Sequence, residues 1–273
     1  MFYLQTNTHS RIKTIDGREN RQRFQTVRQL KLYPLSNKAE REILYDKDLK
    51  IHFESFESYR SYEIEVVAVL VDFDREIRKA QDFRRRVNYK YDWIHAERCS
   101  NGKITNIGNL DELRSNWKVL KRTLQRDYIG IAVDNYLEKT SSQFSNDAHF
   151  EGIFTQYYEY GLLFPKIPNK HAPDWQGKRM IYLDTSHDSH VIEIVTLSEE
   201  NEEFRIYNIA FEQNADNEPV NLISFNGTLE WDKKDNLIQR CDITVKYAYD
   251  ELIINEAHFN IERIVEPNNN NSQ

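Results

Sequence analysis

Two short clusters hold the side chains best suited to chemistry. His187-Asp188-Ser189-His190 places two imidazoles, a carboxylate and a hydroxyl within four residues. Such a set suits a divalent metal or an activated water. Zinc takes three or four ligands, however, and His9, His52, His95, His149, His171 and His258 stand at no ligand spacing. In an extended chain His187 and His190 face opposite sides of the strand, so only a turn brings them together. A polar hairpin loop is the plainer reading. Asp72-Phe73-Asp74 ends an apolar run, and paired carboxylates at a strand end can hold a cation and phosphate oxygens. Without a glycine-rich phosphate loop beside them, they read first as solvating the strand end and favouring the next helix through its dipole.

Two further clusters are aromatic. Arg75, Arg78, Lys79, Arg84, Arg85 and Arg86 run into Tyr89, Tyr91 and Trp93, the basic and aromatic ingredients of a single-strand nucleic-acid surface. Glu76 and Asp82 interrupt the cluster and the chain is acidic as a whole, which weighs against nucleic acid and favours a solvated helix face. Tyr157-Tyr158-Glu159-Tyr160 is the second cluster. Tyrosine and tryptophan concentrate at interface hot spots, so Tyr89, Tyr91, Trp93, Tyr157, Tyr158 and Tyr160 are the candidate binding residues, with core packing the alternative for each. The sequence contains no Gly-x-Ser-x-Gly, Walker, His-Glu-x-x-His, Cys-x-x-Cys or dinucleotide glycine pattern. No catalytic residue, metal site or cofactor is therefore assigned.

The chain has 273 residues and a formal net charge of −7, with 16 Tyr and 14 Phe but only 8 Gly and 6 Pro. That balance suits long twisted strands and opposes a glycine-rich nucleotide-binding fold. Basic residues dominate positions 1–35 and acidic ones dominate from Asp184 onward, giving either two partner surfaces or two faces that attract each other within the fold. No stretch approaches the roughly 18 apolar residues of a membrane-spanning helix. The first residues lack the order of a secretion signal, so a cytoplasmic protein is expected. Cys99 and Cys241 are too few for a disulfide scaffold and read as buried free thiols.

The elements that must position these groups are mostly strands. From Met180 to Val265 the chain reads as consecutive hairpins: in Leu237–Tyr247, Gln239, Cys241, Ile243, Val245 and Tyr247 share one face while Arg240, Asp242, Thr244 and Lys246 share the other. A first β block spans 21–73, with Phe24–Leu32 ending at Pro34, and with the uniformly apolar Val66–Val71 expected at the centre of a sheet. A short helix follows Phe73. Val87–His95 reads as a strand returning through Asn101-Gly102 to Ile104 and Ile107. Leu110, Leu113, Trp117, Leu120 and Leu124 predict one helix, capped by Asn109. Phe150, Phe154, Tyr157 and Tyr158 predict a second, from Asp147 to Tyr160, stopped by Gly161.

Runs of like elements predict an α+β fold: a large curved antiparallel sheet built from both β blocks, with two central helices packed on one face. The expected organisation is a flexible arm over 1–20, one domain over 21–266 with a loop at 166–178, and a disordered tail at 267–273. Such a sheet closed by helices is similar in architecture to ligand-carrying half-barrels such as the lipoprotein carriers. Three functions follow as expectations. The first is a non-catalytic binding or assembly protein with a protein partner, acting through aromatic and charge-asymmetric surfaces. The second is a metal-dependent hydrolase using Asp72 and Asp74 or His187 and His190. The third is a carrier of a small apolar ligand.

Overall fold

The computed structural model describes residues 1–16, 18–46, 51–74, 77–145, 150, 152–183, 190–213, 221–248 and 252–264. The strands are β1 (Phe2–Ile15), β2 (Arg18–Asp46), β3 (Ile51–Phe73), β4 (Trp93–Cys99), β5 (Ile104–Ile107), β6 (Gln176–Tyr182), β7 (His190–Glu200), β8 (Phe204–Gln213), β9 (Asn221–Asp232), β10 (Leu237–Ala248) and β11 (Ile253–Ile264). Three helices join them among the described residues: α1 (Arg78–Val87), α2 (Leu110–Asp127) and α3 (Ile131–Ser145). All strands belong to one sheet, in the order β5-β4-β3-β2-β1-β11-β10-β9-β8-β7-β6. Among the described residues every pair of neighbouring strands is antiparallel. The two β blocks thus merge into a single open sheet, and the predicted α+β class is observed.

The merger happens through β1, whose residues 1–20 were expected as a flexible arm. Instead β1 pairs with β2 on one side and β11 on the other, Gln5 standing opposite Arg28 and Ile261. Its inward residues, Tyr3, Gln5 and Asn7, are buried. The stretch has no apolar period because its inward face is largely polar, and period is the signal by which a strand is recognised.

The sheet curls tightly about its own interior. β4 and β9 lie six places apart in the strand order, about 29 Å in a flat sheet at ~4.8 Å per strand. Yet the Arg98 guanidinium of β4 lies 5.0 Å from the centre of the Trp231 ring of β9 and donates to Asn236 O at 3.3 Å. Arg60 of β3 likewise donates to Asp235 O at 2.7 Å. No arginine side chain spans a flat sheet over that distance, so the two halves fold toward each other.

The space between the halves is filled by the chain itself. Phe150, Ile153, Phe154, Tyr157, Tyr160, Leu162, Leu163, Phe164 and Ile167 are all buried. Here the predicted helix 147–160 does not run through its described second half: Gly152–Thr155 is one 3-10 turn, and 157–160 is a turn closed by Gly161 N–H donating to Gln156 O at 2.9 Å. The aromatic spacing resembled a helical stripe because an irregular segment buried on all sides is apolar on all sides. The helix stands earlier, as α3, which buries only Leu137, Thr140 and Phe144 and so lacks a strong apolar stripe in sequence.

Smaller differences have equally local causes. α1 runs on to Val87 and a 3-10 turn occupies Asn88–Tyr91, so the strand starts only at Trp93. β2 passes through Pro34 with a register shift between Pro34 and Ser36, the irregularity expected where a residue has no N–H. Beyond Glu65, β3 pairs only with β2, and Val67 and Leu70 face solvent, so its apolar run does not mark a central strand. Asn109 does not cap α2 with its side chain; its amide takes His95 N–H and gives to Trp93 O, both at 2.9 Å, fastening the helix to β4. Gly102 has the expected left-handed φ of +87°, and a Cβ there would meet Ile167 O at 2.4 Å. Cys99 and Cys241 are buried free thiols. The expected loop at 166–178 includes the fully buried Ile167 and ends in β6. The tail 267–273 and the hairpin loop at 249–251 lie outside the described residues.

The buried segment carries carbonyl groups that no ladder satisfies, and arginines supply the donors. Arg179 of β6 gives to Phe154 O (3.3 Å), Phe164 O (3.0 Å) and Gly161 O (2.9 Å) while pairing with Glu193 of β7. Arg98 gives to Ile167 O at 2.6 Å. Replacing a donor of this kind leaves carbonyls and a carboxylate desolvated together. Arg179→Met is expected to cost about 3–5 kcal/mol, the range for breaking a buried pair by removing one partner. Arg179→Lys is expected to recover only part of it, because an ammonium lacks the planar fork. Urea midpoints of the three proteins check both points, and equal midpoints would remove the arginine from the account.

Candidate ligand-binding site

The sequence-selected residues are dispersed. His190 opens β7, its ring 5.6 Å from Tyr182, while His187 lies outside the described residues. Asp74 accepts Arg23 N–H at 2.7 Å and Asp72 accepts Phe73 N–H at 3.0 Å, so both carboxylates tie off the end of the β2–β3 ladder. Among the described residues no group of three or more His, Cys, Asp or Glu could hold a metal ion. Of the six aromatic candidates, Tyr91, Tyr157 and Tyr160 are buried within the chain and present nothing to a partner. Tyr89 and Trp93 are half-buried, Trp93 bonding Glu63 through its indole N–H. Tyr158 is half-buried and reaches a polar chamber.

That chamber, about 260 Å³, sits against the inner face of β1, β2, β10 and β11. Strand alternation builds its floor. Asn7 and His9 of β1 lie beside Thr26 and Phe24 of β2, and Tyr247 of β10 lies opposite Asn255 of β11. The far wall comes from Arg84 and Asn88, Lys90 in the turn after α1, Tyr136 of α3, and Tyr158-Glu159 of the buried segment. His9 stacks on Phe24 at 4.8 Å, and the Arg84 guanidinium covers the same ring at 4.9 Å.

Two features characterise this chamber. Asn7 is 2% exposed, yet neither its amide oxygen nor its nitrogen has a hydrogen-bond partner in the protein. Asn255, 9% exposed, has an equally unpartnered Nδ2. Buried polar groups without partners are rare in native proteins, and an unsatisfied one costs about 1–3 kcal/mol. Asn7 and Asn255 stand on adjacent strands, and both line the chamber.

The second feature is charge. Glu159, 3% exposed, is shared by two buried cations: Lys90 bonds its Oε1, and Arg28 stands 3.4 Å from its Oε2. Arg28 also donates to Tyr158 O (3.2 Å) and Glu159 O (3.1 Å) and lies 4.8 Å over the Tyr160 ring. Burial opposes the Lys90 charge, but the adjacent Glu159 carboxylate outweighs it and holds the ammonium above the ordinary lysine range. With Arg11 and Arg84 also in the lining, cations outnumber the single carboxylate. The chamber is therefore rich in donors and positive in potential, the environment of an oxyanion. Asn7, Arg28, Lys90 and Asn255 carried no sequence signal. Glu159 was visible only as a charge inside an aromatic run.

No known family model matches the chain, and no curated protein sequence matches it. Among solved structures, one of lipovitellin, described as showing lipid-protein interactions, aligns over 100% of this chain at 9% identity with a TM-score of 0.44. The chain spans 26% of that protein's length.

The shared carboxylate predicts an order of costs. Glu159→Gln strands two buried cations and is expected to lose about 3–5 kcal/mol. Lys90→Met leaves Glu159 its contact with Arg28 and is expected to lose about 1.5–3 kcal/mol. A lysine pKa raised in the fold contributes stability fully present below the unfolded value of 10.5 and lost as pH rises through the folded one. The gap between wild type and Lys90→Met should thus hold from neutral pH to about 10 and shrink above it. Denaturant titrations across that range test this, and a gap indifferent to alkaline pH contradicts a charged Lys90.

Proposed function

We propose that this chain is a non-catalytic binding protein whose ligand is a small molecule bearing an oxyanion, held in the polar chamber between β1, β2, β10, β11 and the α1–α3 side. The observation that carries the reading is Asn7: a central-strand amide, buried to 2% exposure, aimed into a donor-rich chamber with both polar atoms unpartnered. Burying the Asn7 Nδ2 donor without a partner is costly, and an oxyanion would accept its hydrogen bond. Asp72, Asp74 and His190, weighed for hydrolysis, are not in the chamber's lining and support the enzyme reading less well.

The interior of the curled sheet is occupied by Phe150 and residues 152–167, which speaks for a site beside that filling and against a bulky apolar cargo at the centre. A protein partner remains part of the proposal only through the half-buried Tyr89, Trp93 and Tyr158, since the other three aromatics are core.

Acetate and inorganic phosphate, titrated separately into the full chain, are expected to raise its thermal midpoint by a few degrees near tenfold saturation for whichever anion fits. Asn7→Leu and the surface substitution Arg84→Gln are each expected to weaken that shift at least tenfold in anion concentration. If neither anion moves the wild-type midpoint, the chamber is not an oxyanion site.

A further inference from the structure

A second, larger cavity abuts the polar chamber. It is a groove of about 580 Å³ between α1 and the α2–α3 connection, lined by Ala80, Phe83, Val87, Tyr128, Ile129 and Val133 among others. Its character is opposite to the chamber's. Phe83 meets Tyr128 edge-on at 5.2 Å and Tyr136 at 5.6 Å, forming an aromatic floor. The rim leaves large aliphatic side chains in water: Ile77 is 52% exposed and Ile129 95%, with Ile131 beside it at 80%. Apolar side chains gathered around a groove mark an interaction site more than scattered ones do. Arg84, Asn88 and Tyr136 belong to both linings, so the polar chamber and the apolar groove share a wall.

We infer that the two cavities form one site for a single-chain amphiphile, its oxyanion head in the polar chamber against Asn7, Asn255 and Arg84 and its hydrocarbon chain along the α1–α3 groove. This rests on the polar chamber being a binding site, and adds the class of molecule that fills it. Three observations meet in it. The unpartnered Asn7 amide and Asn255 Nδ2 call for a polar head. The excess of cations over the Glu159 carboxylate calls for an anionic one. The adjoining groove is mostly apolar, with Lys79 and Asp127 also in its lining, and its 580 Å³, at about 30 Å³ per small group, has room for a medium-length chain. Arg84 stands at the junction, its guanidinium over the Phe24 ring at 4.9 Å and within the linings of both cavities, as a long basic side chain does at an apolar–polar boundary. A free small anion leaves the groove's exposed isoleucines unexplained, and a partner helix laid in the groove leaves the buried amides unexplained.

The test is isothermal titration of the full chain with acetate, hexanoate, octanoate, decanoate and dodecanoate, then inorganic phosphate and dodecyl phosphate, and dodecanol as the neutral chain. Each methylene that enters the groove is worth up to about fourfold in affinity, so dodecanoate or dodecyl phosphate is expected to bind more than a hundredfold tighter than acetate or phosphate, the better head distinguishing a carboxylate from a phosphate source. Ala132→Trp, an exposed helix position in the groove wall, is expected to erase most of the chain-length gain and leave acetate and phosphate binding unchanged. Arg84→Gln, also exposed, is expected to weaken headed ligands about tenfold and dodecanol far less, since Arg84 also borders the groove; it serves if Asn7→Leu fails to fold. Affinity independent of chain length overturns the amphiphile and leaves the oxyanion chamber standing. Equal binding of dodecanol and dodecanoate overturns the assignment of the head. Absence of binding by every ligand overturns both readings, and self-association abolished by Ala132→Trp in sedimentation assigns the groove to a second copy instead.

Discussion

Irregular backbone in the middle of a protein has to find hydrogen-bond partners, and that requirement organises this molecule. The segment from Gly152 to Asn169 fills the interior of a curled sheet with carbonyl groups that neither helix nor ladder satisfies. Three arginines answer it from three strands: Arg28 from β2, Arg98 from β4 and Arg179 from β6. A guanidinium offers five donors in a planar fork and keeps its charge at any ordinary pH, so one residue can satisfy several carbonyls at once. Arg179 does so with three carbonyls and a carboxylate. Tyr157 completes that corner, its hydroxyl bonded to Glu193 and its pKa driven well above the tyrosine range by burial and by that carboxylate.

The same requirement explains the curl. Neighbouring antiparallel strands alone leave a sheet free to stay open, since only local ladders hold it. Here the two halves are tied through the segment between them. Asn169 takes a hydrogen bond from Arg98 of β4 at its side chain and from Arg205 of β8 at its carbonyl, each at 3.3 Å. Gln5 of β1 donates to Tyr157 O at 2.6 Å. Strands far apart in order thus share one hub, and hydrophobic side chains on both sides of the hub exclude water around those bonds, strengthening them.

The candidate site lies where this arrangement runs short of partners. Toward the His9 end of β1 the inner face continues polar, leaving the Asn7 amide and the Asn255 Nδ2 unbonded beside the Lys90–Glu159–Arg28 cluster. Polar residues at positions a sheet would otherwise fill with valine or isoleucine break the local rule of strand patterning, and such breaks are expected where function is served.

How legible all this was depended on whether a signal was local. Alternation in Leu237–Tyr247, the Asn101-Gly102 turn and the stripe from Leu110 to Leu124 are properties of near neighbours in sequence, so strands β9 to β11, the β4–β5 hairpin and α2 could be read directly, and with them the antiparallel α+β class. The sequence by itself also determined that Cys99 and Cys241 would stay unpaired thiols in strand surroundings. Only the tertiary structure decided that residues 2–15 form a strand joining both β blocks, that Tyr157 and Tyr160 are core rather than display, and that Asn7, Lys90 and Glu159 meet. Those outcomes depend on which distant segments face each other: a polar strand reads as a loop until the arginines, carboxylates and carbonyls that face it are in place, and no spacing along the chain encodes that company.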